Sequence, residues 1–329
     1  MYHAELSPNR VLERVASPHP FADQEQHGQS EVALENNEEH MLLEDLRNRM
    51  LHGRGLEGKK VEPVLASGSA GGRSDIARGL SSKSHSTLGY AIQEFFRVCF
   101  ADLASHEIAI HEIAYERERT NDGLEPPDQF RLFRVDPRSI QRRWWKFGER
   151  VQYSSQQDRS EYGLSKYIPI RGDRFLVAQL PKNLNRPLQK AREGVSGADS
   201  HEVLTAFPSW ERPEIRESGA YSLDEHTATR EAVIARATRK IGWTGRGTFN
   251  EDASGHYLLR RRVQFERYVA ALRLFLVEHL NHALEKAGSV IGIDAEVKLE
   301  NAPEPSDYDE VERALEEGTK PFREILPLL

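Results

Sequence analysis

Four side chains that could hold a metal ion are clustered in one short stretch: His106, Glu107, His111 and Glu112. A zinc-binding HExxH helix needs histidines at positions i and i+4, so that both imidazoles lie on one helix face. These histidines are five positions apart, and in residues 107–116 the large apolar side chains recur at every second position, at 108 and 110 and again at 113 and 115, as in a strand. On a strand, that spacing places the two imidazoles on opposite faces. We therefore expect solvated strand residues in this stretch and no metal site.

The chain has a single cysteine, Cys99, which excludes an internal disulfide framework and fits a reducing compartment. Its sequence neighbours are apolar, and no histidine lies at a spacing that indicates a catalytic base, so we expect a small buried core residue. The sequence contains no nucleophile elbow, zinc spacing, Walker loop or paired-carboxylate signature. We predict a protein that is not an enzyme and has no cofactor, with a hydrolase or nuclease lacking a recognisable motif as an alternative.

Two glycine-rich stretches could be taken for phosphate-binding loops. The first, residues 67–85, contains GSAGG but lacks the P-loop spacing, and no apolar strand leads directly into it. The second, with Gly245 and Gly247, neither follows a strand nor opens a helix. We predict that both are loops and that the first is flexible.

A tryptophan pair, Trp144 and Trp145, lies next to basic residues at positions 142, 143 and 146. Aromatic and basic side chains together can bind the bases of a nucleic acid by stacking. Such pairs are more often part of an interface or a hydrophobic cap, and we predict that these two tryptophans belong to a subunit interface.

Composition and charge limit the class of protein. The chain has 329 residues, of which 38% are hydrophobic and 29% charged, and a net charge of -7. This length is enough for one large domain or two smaller ones, and the negative charge argues against a generally basic nucleic-acid binder. No run of about 18 apolar residues could span a membrane, and residues 1–10 resemble neither a signal peptide nor a lipidation motif. We expect a soluble protein made in the cytoplasm.

The longest periodic stretch runs from Tyr257 to Ala287, where apolar residues recur at steps of mostly three or four. About 30 helical residues extend over roughly 45 Å, so we predict a long spine helix, with Gly288 as its C-terminal stop. Its apolar stripe is wider than one neighbouring element needs. We therefore expect Leu272 and Leu276 to contact an adjacent subunit.

Shorter patterns complete an α+β fold in which the spine helix is combined with a small antiparallel β-meander and flanking helices. Helices are predicted over 39–51, 86–104, 222–241 and 307–318, with a short helix at most in 183–200. Strands are predicted over 61–66, where Pro63 indicates an edge strand, and over 107–116, 130–135, 151–153, 167–170, 174–180 and 289–299. The predicted domains are 1–85, an N-terminal arm and flexible lead-in; 86–182, a helix with antiparallel strands; 183–221, a short connection; and 222–329, a helical region ending in a strand and an acidic helix.

From residue 86 onward, the order of these elements resembles the portal proteins of tailed bacteriophages, and most closely their Mu-type branch. The matching segments are EIAYE (112–116), FRLFRVDPRSI (130–140) with its aspartate-proline turn, IPIRGDRFLVAQLPKNLNRPL (168–188), REAVIARATRKIGWTGRGTFNEDASGHY (230–257), LNHAL (280–284) in the spine helix, and the acidic helix with Gly318 and Thr319. The resemblance covers about three quarters of the chain, and order and spacing carry it rather than any single motif.

The resemblance implies a virion protein that forms a ring, usually of twelve subunits, at one capsid vertex. Double-stranded DNA would pass through the central channel, and the partners would be the major capsid protein, the terminase large subunit and a head–tail adaptor. A channel wall should not bind phosphates tightly, because each ionic contact adds affinity and would slow the passage of DNA. A chain with a net negative charge meets this requirement. The candidate DNA-facing cations are Arg239, Lys240 and Arg246, with the alternative that they only complement a helix C-terminus.

One departure from the family pattern concerns the stem and clip. Portals usually insert two stem helices and a clip before the helix that begins here at Ser222. This chain has only about 20 residues for them, 183–202, unless 222–241 is itself a stem helix and 195–221 a reduced clip. A shortened portal is therefore predicted, and a non-catalytic assembly scaffold or adaptor is the alternative.

Overall fold

The computed structural model describes residues 2–7, 10–14, 38–52, 59–67, 70–80, 87–120, 123–135, 137, 140–143, 146–152, 167–168, 174–198, 223–245 and 255–319. The helices in these residues are α1 (Glu38–His52), α2 (Ala70–Leu80), α3 (Leu88–His106), α4 (Lys182–Ser196), α5 (Leu223–Ala237), α6 (Gly255–Ile291) and α7 (Pro305–Glu316). The strands are β1 (Tyr2–Ser7), β2 (Arg10–Arg14), β3 (Glu62–Ser67), β4 (Ile108–Thr120), β5 (Gly123–Leu124), β6 (Gln129–Val135), β7 (Ile140–Arg143), β8 (Lys146–Gln152), β9 (Tyr167–Ile168), β10 (Phe175–Gln179) and β11 (Glu296–Glu300). Helices and antiparallel sheets are combined, as the α+β prediction requires.

The chain forms two compact units, and each is assembled from separate segments. Unit 1 consists of Met1–Ala33, Glu62–Leu180 and Phe275–Glu300, and unit 2 consists of Leu34–Val61, Pro181–Leu274 and Asn301–Leu329. These units do not follow the predicted boundaries, which divided the chain into four consecutive ranges. The reason is that packing joins segments far apart in sequence, which local composition does not reveal.

Strand β4 is the centre of the largest sheet in unit 1. It pairs with β6 over Ile110–Glu116, with β10 near its start and with β2 near its end, all antiparallel. Residues 109–116 are all buried, and because successive side chains point to opposite faces, both faces of β4 are covered. The predicted strand is therefore confirmed, but the prediction of one solvated face is wrong.

Two buried acidic side chains of this sheet, Glu116 and Glu13, are paired with arginines. Glu116 accepts a hydrogen bond from Arg131, and Glu13 lies 3.0 Å from Arg174 and 2.9 Å from Arg117. A buried carboxylate is costly unless such partners compensate for its lost hydration. The arginines are therefore part of what keeps this sheet stable.

Two segments of the predicted arm and flexible lead-in are regular elements, β2 and α2. Strand β2 pairs with β4 and buries Val11 and Leu12, so this part of the predicted arm belongs to the sheet. Helix α2 lies inside the stretch predicted as a flexible loop, and it buries Ile76 and Leu80. A Cβ on Gly79 would come within 2.6 Å of a ring carbon of Phe130, so this glycine allows close packing. Sparse apolar residues among glycines and serines gave too weak a local signal for this helix.

Among the residues that the structure describes, strand β3 pairs with β11 alone in a two-stranded sheet, which agrees with the edge position predicted from Pro63. Helix α6 runs past the predicted stop at Gly288 and ends at Ile291, followed by Gly292, whose φ is +74°. A Cβ on Gly288 would lie 2.0 Å from the carbonyl oxygen of Ile293, so that glycine is required by the close approach of the chain just after the helix. The strand predicted over 289–299 is accordingly shorter.

Unit 2 is built from α1, α4, α5, α7 and the first part of α6. A core cluster joins α6 to α7: Leu259, Val263, Ala270, Tyr308, Val311 and Leu315. Helix α4 has 15 residues, so the prediction of a short helix at most is corrected. It buries Leu184 and Leu188, and Tyr268 donates a hydrogen bond of 2.8 Å to the Leu184 carbonyl oxygen. The first half of the predicted connection is therefore a core helix.

Two buried arginines of α6 bind backbone carbonyl groups within unit 2. The Arg273 guanidinium donates to the carbonyl oxygens of Arg49 and, at 3.0 Å, Met50, both near the C-terminal end of α1. Arg261 donates to the carbonyl oxygen of Trp243 at 2.6 Å, just after α5. Cations at helix C-termini are favoured because unpaired carbonyl groups concentrate negative charge there.

Among the described residues, none of the helices combines the length and the apolar composition that crossing a bilayer requires.

Candidate functional site

The predicted DNA-facing residues are only partly described. Arg239 and Lys240 are exposed in the turn that follows α5, and neither has an ion pair with another described residue. Their position is compatible with both alternatives, DNA contact and complementation of the helix C-terminus. Arg246, Trp144 and Trp145 lie outside the described residues.

The predicted interface residues of the spine helix are core residues of the chain itself. Leu272 is 0% exposed and Leu276 is 1% exposed. Their burial is complete without a second subunit, so the structure gives no reason to assign them to an interface. The α6 residues that do expose large apolar side chains are Tyr257, Leu274 and Val290. The wide apolar stripe is explained by contacts within one chain.

The prediction that the histidine and glutamate cluster consists of solvated strand residues is wrong for His111 and Glu112. His111 is 3% exposed and Glu112 is 0% exposed, so neither is a solvated strand residue. His106 is half-buried at the end of α3, and Glu107 is exposed with a left-handed backbone that closes that helix. The four residues thus do not form one site.

Instead, the fold brings His111 together with two residues distant in sequence, Cys99 and His279. We call these three side chains the Cys-His-His cluster. One donor atom from each lies within 4.8 Å of the others, and all three residues are buried. The imidazole centroids of the two histidines are 5.9 Å apart. All three residues belong to unit 1.

Each member of the cluster comes from a different element, and the periodicity of that element explains why the side chain lies on its buried face. Cys99 lies on the apolar face of α3, one turn after Phe95. His111 lies on the face of β4 that α3 covers, and His279 lies on α6 between Leu276 and Leu280. The ring of Phe95 contacts both imidazoles, with centroids 4.9 Å from that of His111 and 6.0 Å from that of His279.

Burial controls the protonation of the cluster. Desolvation lowers the pKa of His111 to about 3, with further contributions from His279 and Arg134. Desolvation also lowers the pKa of His279 to about 4, with smaller contributions from His282 and Lys286. Both imidazoles are therefore neutral at physiological pH.

The cysteine of the cluster is also uncharged in the absence of a ligand. Desolvation raises the pKa of the Cys99 thiol, and the Asp102 carboxylate raises it further. Asp102 itself accepts two hydrogen bonds from Arg134, at 2.6 and 2.8 Å. A free thiol in this state is a poor nucleophile, which agrees with the prediction that Cys99 is a buried core residue.

Sequence reasoning missed the cluster because its members are separated by long stretches of chain and form no motif. One signal was present: His279 interrupts the apolar stripe of the spine helix at a position where the periodicity demands a buried residue. A polar side chain on a buried stripe points to a partner elsewhere in the fold.

A cleft of about 490 Å³ lies in another part of unit 1, lined by residues of β3, α2 and α3. Its polar side chains are Arg73, Ser74 and Thr87, and none of the lining residues is a carboxylate, a histidine or a cysteine. This cleft therefore lends no support to acid–base or nucleophilic chemistry.

Comparison with known proteins gives no family assignment. No protein-family model matches this chain. A search of curated proteins finds no match either. Any function must therefore be inferred from the residues and elements of the chain itself.

Proposed function

We propose that this chain is the subunit of a portal-type ring at one vertex of a viral capsid, with a central channel for double-stranded DNA. The observation that supports the proposal is the order of the elements. The elements that correspond to the portal pattern occur in the following order: helix α3, strands β4, β6 and β10, helix α5 with its glycine turn, the long helix α6, strand β11 and the acidic helix α7. On this proposal the ring binds the major capsid protein, the terminase large subunit and a head–tail adaptor.

The charge of the chain fits passage of DNA rather than tight binding. The 52 acidic residues outnumber the 45 basic ones, so the chain as a whole does not attract phosphates, whose ionic contacts would each add salt-dependent affinity. Arg239 and Lys240 are exposed cations in one turn, which suits a weak contact with passing DNA. The proposal assigns them that role.

The proposal also requires a reduced stem and clip. Because α4 is packed into unit 2, it is not available as a free stem helix. Residues 199–222, between α4 and α5, lie outside the described residues.

Electron microscopy of the purified full-length chain tests this function. A ring of about twelve subunits with a hole wide enough for duplex DNA is expected. A monomer or dimer at micromolar concentration would overturn the portal assignment. A closed or open assembly without such a hole would also overturn it and favour the scaffold alternative.

A pair of substitutions on α6 separates assembly from folding. Leu274 is 47% exposed, so Leu274→Asp should change the free energy of unfolding by less than about 0.5 kcal/mol. If this face of α6 contacts the next subunit, the variant should be monomeric, because a carboxylate buried in an interface is costly. Leu272→Asp should instead unfold the chain, since it buries a carboxylate in the core.

Mass photometry measures the assembly, and circular dichroism measures the fold. Ser289→Asp is the matched control, since it adds the same charge at an exposed position of the same helix. Rings of normal size from Leu274→Asp would exclude this face from the interface.

A further inference from the structure

The Cys-His-His cluster contains two buried nitrogen atoms that form no hydrogen bond with a described residue. They are Nδ1 of His111 and Nε2 of His279. The two side chains are 3% and 8% exposed, so water does not reach them freely. A buried polar atom without a partner costs about 1–3 kcal/mol, and it needs a physical explanation.

A bound metal ion would give both nitrogen atoms a partner, and it would also bind the neighbouring sulfur atom of Cys99. Two imidazole nitrogens and one thiolate sulfur are the donor types that zinc takes in proteins. Burial keeps both imidazoles neutral, which is the form that binds a metal. The three donors also come from three different elements, α3, β4 and α6, so a bound ion would join them.

We propose that Cys99, His111 and His279 form a binding site for one Zn²⁺ ion. Three protein donors leave the fourth tetrahedral position for a small ligand such as water. The site goes beyond the proposed ring function, since it lies within one unit of one chain and does not depend on assembly.

The distances allow binding after a small adjustment. In a tetrahedral site with bonds of about 2.0–2.3 Å, neighbouring donor atoms are roughly 3.3–3.7 Å apart. The donors of the cluster lie within 4.8 Å of one another, so they would have to approach by about 1 Å. Small rotations of the two imidazoles and of the Cys99 side chain can supply this movement.

Binding has a defined proton balance. As the bond from Cys99 Sγ to Zn²⁺ forms, the S–H bond breaks and the proton leaves to solvent. The resulting thiolate and the dication give the site a net charge of +1. Asp102 raises the pKa of the thiol but is itself paired with Arg134, so the thiolate is the group that offsets the charge of the ion.

Cobalt substitution tests the site directly. The full-length chain is produced in medium supplemented with Co²⁺, because a buried site loads most readily as the chain folds. We expect one Co²⁺ per chain and a near-ultraviolet charge-transfer absorption from a thiolate-to-cobalt bond. Cys99 is the single cysteine, so this absorption can come from no other residue. Growth with Zn²⁺ should likewise give one zinc per chain by elemental analysis.

Variants assign the three ligands. Cys99→Ala and His279→Phe should each weaken binding by more than the ~10–100-fold that loss of an outer-shell partner costs. His282→Ala is the matched control, because His282 is exposed on the same helix and is outside the cluster. It should retain full binding.

The metal content and the cobalt spectrum of the wild type decide whether the site exists. Metal content well below one per chain in the wild type, or no charge-transfer absorption, would overturn the site. Unchanged binding by Cys99→Ala would also overturn it, and so would uptake of Cu⁺ without uptake of Zn²⁺. If a variant fails to fold, the wild-type cobalt spectrum still decides. A chain that forms no ring but binds one zinc would contradict the portal proposal and leave this site standing.

Discussion

Replacing Gly242 by alanine should lower the free energy of unfolding by about 3–5 kcal/mol, an unusually large loss for one added methyl group. Gly242 has a φ of +86°, which strains any residue with a Cβ. The new Cβ would also lie 2.3 Å from the carbonyl oxygen of Arg261 and 2.4 Å from the backbone nitrogen of Phe265. Because these are main-chain atoms of α6, they cannot rotate away as a side chain would.

The clash would have a second consequence in the same region. If the turn after α5 moves away from α6, Arg261 loses its hydrogen bonds to the Trp243 carbonyl oxygen, at 2.6 Å, and to the Thr238 hydroxyl, at 2.8 Å. A guanidinium left buried without these acceptors is costly. The loss should therefore exceed the sum of backbone strain and simple overpacking.

Gly318 offers the matched control for this prediction. Its φ is +65°, and a Cβ there would meet no heavy atom within 4 Å. Gly318→Ala should therefore cost about 1 kcal/mol from backbone strain alone. Urea unfolding of the two variants and the wild type measures both losses. Equal losses would show that the contact between Gly242 and α6 does not limit stability.

Acidification should destabilise the metal-free chain by on the order of 4 kcal/mol between pH 7.5 and pH 5. The groups responsible are His111 and His279, whose pKa values in the folded chain are about 3 and about 4, against 6.5 for an ordinary histidine. At pH 5 the unfolded chain binds a proton on each imidazole and the folded chain does not. Their contribution to stability is complete above about pH 6.5 and is lost progressively as the pH falls toward the folded values.

The charged groups around the two imidazoles do not remove this effect. Arg134 on β6 and Lys286 on α6 lower the pKa of His111 and of His279 respectively. The nearest acid on α3, Asp102, is paired with Arg134 and is therefore not free to stabilise an imidazolium. Protonation of either histidine would thus place an uncompensated charge in the core.

Chemical denaturation with a chelator present, at a series of pH values between 7.5 and 5, measures this dependence. His279→Phe removes one titrating group and should remove about half of the loss. His282→Ala should keep nearly all of it, because that side chain is exposed. A wild-type stability that stays constant over this range would contradict the buried, neutral state of both histidines.

Elements with strong local periodicity were predicted well from the sequence. Helices α3 and α6 were predicted within a few residues, because their apolar side chains repeat at helical spacing. Strands β4 and β6 were predicted from alternation and from the Asp136-Pro137 boundary. Such a pattern indicates that one face of the element is buried.

Predictions that depended on burial were less successful. Alternation in β4 implied a solvated face, yet Glu112 and Glu116 are both buried, and Glu116 has Arg131 as its partner. Helix α2 was predicted as a flexible loop, because glycine and serine dominate its surroundings and its few apolar residues are stabilised only by packing. The width of the apolar stripe on α6 suggested a neighbouring subunit, whereas the chain itself covers Leu272 and Leu276.

By itself, the sequence determined which strongly periodic segments become helices and strands, such as α3, β4, β6 and α6, since side-chain periodicity follows from the geometry of one element at a time. It also determined the order of elements on which the portal proposal rests. Only the tertiary structure decided that Cys99, His111 and His279 meet, because pairing of β4 with its neighbours and packing of α3 and α6 are contacts between distant parts of the chain. The spacing of residues along the sequence does not predict such contacts. Lengthening the loop between two contacting residues adds little to the entropy cost of closing it, so many different spacings are possible.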